Sequence, residues 1–373
     1  MSSEAWMQAE LDGLSEQHLR RGLEVQPQAG GVIVDRGRRV LNFSSNDYLD
    51  LARRPAVVEQ ARRALAEYGC GACASRLVSG SLPLHAELEG AVAAHKGYPA
   101  SLVFGCGFLT NVGVISALVG RNDTVFADKL VHASLIDAIV LSRATLVRFR
   151  HNDSEHLAAQ LAKNDDAGGR RLIVTESVFS MDGDIAPLAE IAALSERHGA
   201  LLMVDEAHSS GVFGPHGAGL VRENELADRV NISMGTFSKA LGNYGGFVAC
   251  SETMREWLIN RARSFIYTTA LPPAVLGGCL GALEVLDNEP ELGEKLRLRS
   301  DFFRNLLRER GFDTGRSASQ IIPVMVGESA RALELARQLN DCGVVAVAIR
   351  PPTVPRGTAR LRLSVTLAHT RED

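Results

Sequence analysis

Nowhere in the 373 residues do apolar residues run on for the ~18 needed to cross a membrane. The opening MSSEAWMQAELDGL is polar and acidic, not a basic stretch followed by an apolar one, so the sequence reads as neither secreted nor membrane-spanning. Long blocks of one charge are also lacking. Lys and Arg total 40 against 44 for Asp and Glu, a net charge of −4, which gives no sequence-independent grip on nucleic acid and leaves small-molecule chemistry as the expectation. The six cysteines (Cys70, Cys73, Cys106, Cys250, Cys279 and Cys342) are too scattered for a disulfide framework and fit reduced thiols in a cytoplasmic protein. Cys70 and Cys73 have the spacing of half a zinc site but lack a second pair, so no metal is expected. Internal repeats and low-complexity tracts are missing as well.

What is present is globular: 46% hydrophobic and 23% charged residues, with 35 glycines gathered where short apolar runs end. Candidate strands are Ser101–Gly105, Thr124–Asp128, Leu172–Glu176, Leu201–Asp205, Val230–Met234 and Gly246–Cys250. Several are continuously apolar, as strands covered on both faces are. Helical spacing between them, at Pro83–Lys96, Pro187–His198 and Glu252–Arg263, implies an α/β fold with a mainly parallel sheet. After Pro273 the texture changes to a long helical run, Ala274–Arg310, then IIPVMV, the helix-like ARALELARQLND, VVAVAI and RLRLSV. The expected organisation is an N-terminal arm (1–47) with an amphipathic helix over Glu10–Leu23 and a strand pair in VIVDRGRRVLNF, a large domain (48–285) and a small α+β C-terminal domain (286–373). LAHTRED reads as the opening of a helix that the chain does not finish, as in a trimmed terminus.

Polar residues collect at the carboxyl ends of the candidate strands, where open α/β sheets bind ligands. SLVFG runs into Cys106-Gly107-Phe108, a glycine-flanked helix start whose free amides suit a phosphate. The third glycine position of a dinucleotide fingerprint is filled by Thr110, so that pattern fails. LLMVDEAHSSGVFG ends a strand in Asp205 and then delivers His208; an aspartate there is otherwise a helix cap. In NISMGTFSKALGNYGG, Lys239 sits among Thr236, Ser238, Gly242, Gly245 and Gly246, small neighbours that let a ligand approach closely and favour a nucleophilic amine over a solvated surface charge. An amine, a carboxylate and a phosphate-ready helix start are together the protein-side needs of pyridoxal 5′-phosphate.

On these residues, and on LNFSSNDYLDLA, GCGACASRLVSGSLPLHAELE, DKLVHASL, TESVFSMDGDIAPL and RPPTVPRGTARLRL, the sequence resembles the fold-type I pyridoxal-phosphate enzymes, and within them the α-oxoamine synthases. The resemblance covers nearly the whole chain and implies a mainly parallel seven-stranded sheet, pyridoxal 5′-phosphate as cofactor, and a homodimer with shared active sites. It departs in having Cys70, Ala72 and Cys73 where many relatives carry Gly or Ser.

Position by position, the resemblance implies that Lys239 is the Schiff-base lysine and Asp205 the partner of the pyridine nitrogen. His132 would stack on the ring and contact substrate, although alone it reads as a helix N-terminal histidine. His208 would bond the ring hydroxyl, with Ser180, Thr236 and the Gly107 and Phe108 amides near the phosphate or ring. Glu176 would position the acyl group, or serve only in a structural ion pair. Thr268 and Thr269 in IYTTALPP would reach a neighbouring subunit's phosphate. Arg362 would hold the amino-acid carboxylate, with Arg20 and Thr353 also at the substrate and Arg350 as a further candidate. In RLRLSV, Arg360 and Arg362 share a face by strand alternation; without the resemblance they read as exposed arginines.

The implied reaction is a decarboxylative condensation of an amino acid with an acyl thioester. The arm NFSSNDYL and IRPPTVPRGTARLRLS point to L-alanine and a pimeloyl thioester, carried on coenzyme A or a carrier protein. The alternatives are glycine with acetyl-coenzyme A, serine with a long acyl chain, a pyridoxal-phosphate aminotransferase, or a non-catalytic subunit of the same fold.

Overall fold

The computed structural model describes residues 4–23, 25–35, 37–165 and 168–373. They form two compact units. One comprises Asp47–Ser180 with Asp184–Arg297; the other joins the N-terminal segment up to Asn46, Met181–Gly183 and Leu298–Asp373. The division therefore falls inside a helix, Leu292–Glu309, where the sequence suggests 285/286, and the arm clusters with the C-terminal segment. No described helix is long and apolar enough to cross a membrane.

The arm carries a hairpin, β1 (Val32–Asp35) and β2 (Arg38–Asn42), with Val32 opposite Leu41. Its helix spans Ala5–Glu16, not Glu10–Leu23, and buries none of its residues; His18 follows in a left-handed conformation (φ 57°), which stops the helix.

The large unit is built on β3 (Ala100–Phe104), β4 (Thr124–Asp128), β5 (Thr145–Phe149), β6 (Arg171–Glu176), β7 (Leu201–Asp205), β8 (Ile232–Thr236) and β9 (Gly246–Cys250). They make a seven-stranded sheet in the order β3-β9-β8-β7-β6-β4-β5, in which β9 alone runs against the others. Every residue of β3, β4, β8 and β9 is buried, so these strands have no solvent-facing side and lack the polar alternation of a half-exposed strand. β5, TLVRF, is one of the two edge strands; partly exposed and interrupted by Arg148, it lacks that signature and goes unseen in the sequence. β8 begins two residues later than VNISM suggests, because the Arg229 and Val230 amides close a turn onto Leu226 O.

From β4 the chain passes outward to β5, whereas from β6 it passes to β7 on the other side. The connections thus diverge between β4 and β6, the kind of switch point at which open sheets bind ligands. Pro83–Lys96 is a helix as expected, and Glu252–Arg261 is followed by the short helix Arg263–Ile266. The long run Ala274–Arg310 divides into Pro273–Asn288 and Leu292–Glu309.

In the other unit, β10 (Ile321–Gly327) and β12 (Val347–Ile349) flank β13 (Ala359–Ser364), both antiparallel to it. VVAVAI is split, its first half forming β11 (Val344–Val345), which pairs parallel with β2. LAHTRED makes turns instead of opening a helix: Asp373 pairs with Arg39 and accepts from the Thr370 amide at 2.8 Å.

Candidate active site

Parallel pairing of β6 with β7 puts Glu176 and Asp205 side by side at the strand ends, both buried. Asp205 is held by donors: Oδ2 accepts from Asn111 Nδ2 at 3.0 Å and Oδ1 from the Ala207 amide at 2.9 Å. Asn111 Nδ2 also donates to Ser134 Oγ at 2.9 Å, and that hydroxyl lies 2.8 Å from His132 Nδ1. A continuous polar chain therefore links Asp205 to His132. His132 does cap a helix, Ala133–Ser142, its Nδ1 accepting from the Ser134 amide at 3.2 Å. An accepting Nδ1 leaves Nε2 to carry the proton. Burial, opposed by Asp205 and aided by Lys239, holds the imidazole below its ordinary pKa.

The His132 amide donates to Glu176 Oε1 at 2.5 Å. Burial first, and then the charge of Asp205, hold the Glu176 carboxyl well above the usual carboxylate range.

Lys239 follows β8, and its Nζ lies 2.8 Å from His208 Nε2, while His208 Nδ1 lies 2.7 Å from the Tyr48 hydroxyl. With Nζ donating to Nε2, the imidazole proton would lie on Nδ1, facing the Tyr48 oxygen. Thr236 Oγ1 donates to Gly245 O at 2.7 Å and lies 2.7 Å from Ser238 Oγ, tying the lysine turn to the start of β9.

The helix Gly107–Leu118 has Cys106 as its N-cap residue, with no side-chain cap bond and no acid in its first turn. The Gly107 and Phe108 amides are thus the unsatisfied donors of a helix start. A Cβ on Gly107 would come within 3.2 Å of Met234 Cε and 3.7 Å of Thr236 Cβ, so glycine lets this start pack closely on β8. Ser180 is buried. Thr269 bridges to Ser75, and Thr268 lies against Gly105, just before the helix start.

Arg20, Thr353 and Arg362 belong to the other unit. Arg20 is exposed, and it is Arg21 whose guanidinium reaches Thr353 Oγ1, at 3.2 Å; Arg350 bonds His18 O. The reading of Arg360 and Arg362 as exposed arginines is overturned, since both are buried. Arg360 pairs with Asp182 at 2.5 Å, while Arg362 donates to Ser364 Oγ at 2.7 Å and Asn46 Oδ1 at 3.2 Å.

Sequence reading missed Asn111 and Tyr48. Asn111 lies one helical turn into Gly107–Leu118 on its buried side, and a polar residue among GFLTNVGVISAL was the available signal. Tyr48 is fully buried within NFSSNDYL, a stretch read for the resemblance and not for a role of its tyrosine. Among the described residues no cluster of side chains is arranged to hold a metal ion.

Residues 38–373 match the family "Aminotransferase class I and II". The 8-amino-7-oxononanoate synthase of Anaeromyxobacter dehalogenans (strain 2CP-1) is 49% identical over 365 residues, covering 98% of this chain and 91% of that protein. Among solved structures, a serine palmitoyltransferase from S. paucimobilis with bound PLP-myriocin superposes with a TM-score of 0.91 at 32% identity, over 100% of this chain and 94% of the other. The 8-amino-7-oxononanoate synthase from Francisella tularensis superposes at 0.76 and 31%, over 89% and 93%. With that identity running almost end to end, and an amine, a buried carboxylate and an uncapped helix start following strands of one sheet, the chain belongs to the 8-amino-7-oxononanoate synthase family within the class I and II aminotransferases.

Proposed function

We propose that the protein condenses L-alanine with a pimeloyl thioester, releasing the thiol and carbon dioxide and forming 8-amino-7-oxononanoate, the acyltransferase reaction that serves biotin synthesis. The observation that carries this reading is Lys239, its amine 2.8 Å from His208, in the same unit as the strand-end carboxylate Asp205 that Asn111 and the Ala207 amide hold in place.

The donor set fits pyridoxal 5′-phosphate. Lys239 would hold it covalently, Asp205 would face its ring nitrogen, and the Gly107 and Phe108 amides, with Thr236 and Ser180, would take the phosphate or ring. When bound, the cofactor supplies an electron sink for negative charge developing at the amino acid's Cα.

The chain's own residues do the rest. The Lys239 amine, when free, would be the base that takes the Cα proton and later returns one. Asp205, held in place by two donors, would stabilise positive charge on the ring nitrogen. His132, rigidly set by Ser134, gives a flat surface for the ring and an Nε2–H for a substrate oxygen. Glu176 holds the His132 backbone, and that contact supports a positioning role beside the acyl-contact role. Arg362 is assigned to the amino-acid carboxylate because its guanidinium offers a planar, bidentate match that lysine lacks. We further read the active species as a cytoplasmic homodimer in which Thr268 and Thr269 complete the partner's phosphate site.

The test is to add L-alanine, glycine and L-serine separately to the purified protein loaded with pyridoxal 5′-phosphate, then pimeloyl-coenzyme A or, in parallel, a long-chain acyl-coenzyme A, and follow the visible spectrum and free thiol. Thiol release with L-alanine alone is expected. Release only with L-serine and a long-chain thioester would favour a serine palmitoyltransferase activity, and amino transfer without any thioester would favour an aminotransferase.

A further inference from the structure

A second set of buried titratable groups closes on the same strand ends. Asp128, the last residue of β4, is fully buried; Oδ1 accepts from the Leu130 amide at 2.8 Å and meets His151 Nδ1 at 2.9 Å, while Oδ2 accepts from the Asn152 amide at 2.8 Å. The other ring nitrogen, His151 Nε2, meets Asp184 Oδ2 at 2.8 Å, and the same oxygen accepts from Asn152 Nδ2 at 2.9 Å. An imidazole facing a carboxylate at each nitrogen satisfies both only when doubly protonated. Burial opposes that charge, but the hydrogen bonds to Asp128 and Asp184 outweigh it and push His151 up to about 9. Asp128 and Asp184 are the charged groups facing the ring; the neighbouring Arg150 and Asp153 pair with each other. Asp184 Oδ1 is buried with no hydrogen-bond partner, which leaves His151 and Asn152 as the compensation for that carboxylate.

Two backbone segments are tied to this clamp. On one side, the Leu130 bond and Val131 N to Asp128 O at 3.3 Å shape the turn that delivers His132. On the other, Asp184 O accepts from the Phe179 amide at 3.0 Å beside the Val178–Ile185 bridge, and Phe179 meets the His151 ring edge-to-face with centroids 4.4 Å apart. Ser180 is the next residue.

We propose that His151 is a positioning residue: as an imidazolium held between Asp128 and Asp184, it fixes the backbone carrying His132 and the backbone carrying Ser180. The proposal rests on the functional reading above for the roles of those two side chains. It explains why a charge is buried where an apolar pair would pack more cheaply: two loops after different strands are locked by one rigid ring, and the lock is directional.

Two measurements on the holoenzyme test it. With nitrogen-15-labelled histidine, both His151 nitrogens should be protonated at about pH 8, above the ordinary imidazole pKa; a neutral ring overturns the proposal, whatever any variant does. Then His151→Gln combined with Asp184→Asn removes one charge of each sign. This variant should remain folded, exchange amide hydrogens faster in residues 129–134 and 177–180 but not elsewhere, and lose about tenfold or more in kcat as the site loosens. Unchanged exchange in those segments, or faster exchange throughout the chain, overturns it. Should the variant fail to fold, the ring measurement still decides. Neither protonation nor exchange needs substrate, so a wild type that releases no thiol removes the functional reading and leaves these two results standing by themselves.

Discussion

Asp205 shows how a single carboxylate is specified by its donors. Asn111 Nδ2 addresses one oxygen and the Ala207 amide the other, so each oxygen must accept. Asp205→Asn removes the negative charge and also turns an NH2 toward one of those donors, so its position is lost along with its charge. Removing one preorganised electrostatic partner of a developing charge typically costs about 10²- to 10³-fold in kcat, and a loss of at least that size is expected here. Steady-state assay at saturating L-alanine checks it, with bound cofactor read from the visible spectrum. Near-normal turnover in a folded, cofactor-loaded variant would remove Asp205 from the ring-nitrogen role.

Among the elements, β9 fits closely against the start of the helix Gly107–Leu118. A Cβ on Gly246 would lie 2.3 Å from Thr110 Oγ1 and under 3 Å from Cys106 backbone, at 2.8 Å from its C and 2.9 Å from its O. A hydroxyl can turn away, but the backbone at a helix start cannot move without carrying the Gly107 and Phe108 amides with it. Gly246→Ala is therefore expected to cost about 1–3 kcal/mol of stability by overpacking and to weaken pyridoxal phosphate binding more than L-alanine binding. Urea midpoints and cofactor titration of the apoprotein separate the two effects; an unaltered cofactor affinity would mean that the helix start does not hold the phosphate.

The same scale shows what was legible in the sequence. Buried strands such as TVFAD and LLMVD announce themselves because burial on both faces leaves no room for polar residues, and Asp205 and Lys239 stand out against them. Edge strand β5 was silent, since partial exposure permits Arg148. Arg360 and Arg362 alternate as any exposed pair would, and their burial depends on Asp182 and Asn46, partners too distant in sequence for spacing to reveal. Asn111, Tyr48 and His151 were missed for the same reason: each is defined by a tertiary partner.

At the scale of the whole molecule, two histidines, His85 and His151, set a pH window for stability. Burial, assisted by Arg76, pushes His85 down to about 4. Its unfolded form binds a proton first as pH falls, so its contribution is complete above the ordinary pKa of about 6.5 and is lost from there down to about 4. His151, pushed up to about 9, contributes in full below about 6.5 and loses that contribution as pH rises through 9. Urea midpoints should therefore fall on both sides of neutrality, and replacing His151 by Gln should flatten the alkaline limb alone. A wild type whose midpoint holds steady up to pH 10 would contradict this.

The proposed homodimer is tested at the largest scale. Thr268 and Thr269 follow Tyr267, which is 70% exposed, and Phe108, at the helix start, is 45% exposed. Large apolar side chains left in the open beside binding elements are a common mark of a surface that another chain covers. If each active site takes its lysine from one protomer and its threonines from the other, two dead variants should rescue each other. Lys239→Ala lacks the amine but keeps its threonines; Thr268→Ala with Thr269→Ala lacks the threonines but keeps Lys239. In a mixed dimer, one site pairs the intact lysine with the intact threonines, and the other site carries both defects. Random reassortment of an equal mixture by dilute urea makes half of the dimers mixed, each with one working site in two, so activity should return to about a quarter of the wild-type value. Light scattering on the same samples should report dimers throughout. If each protomer builds its own site, the mixture stays as inactive as its components however thoroughly the chains exchange, and the threonines must act, if at all, within their own chain.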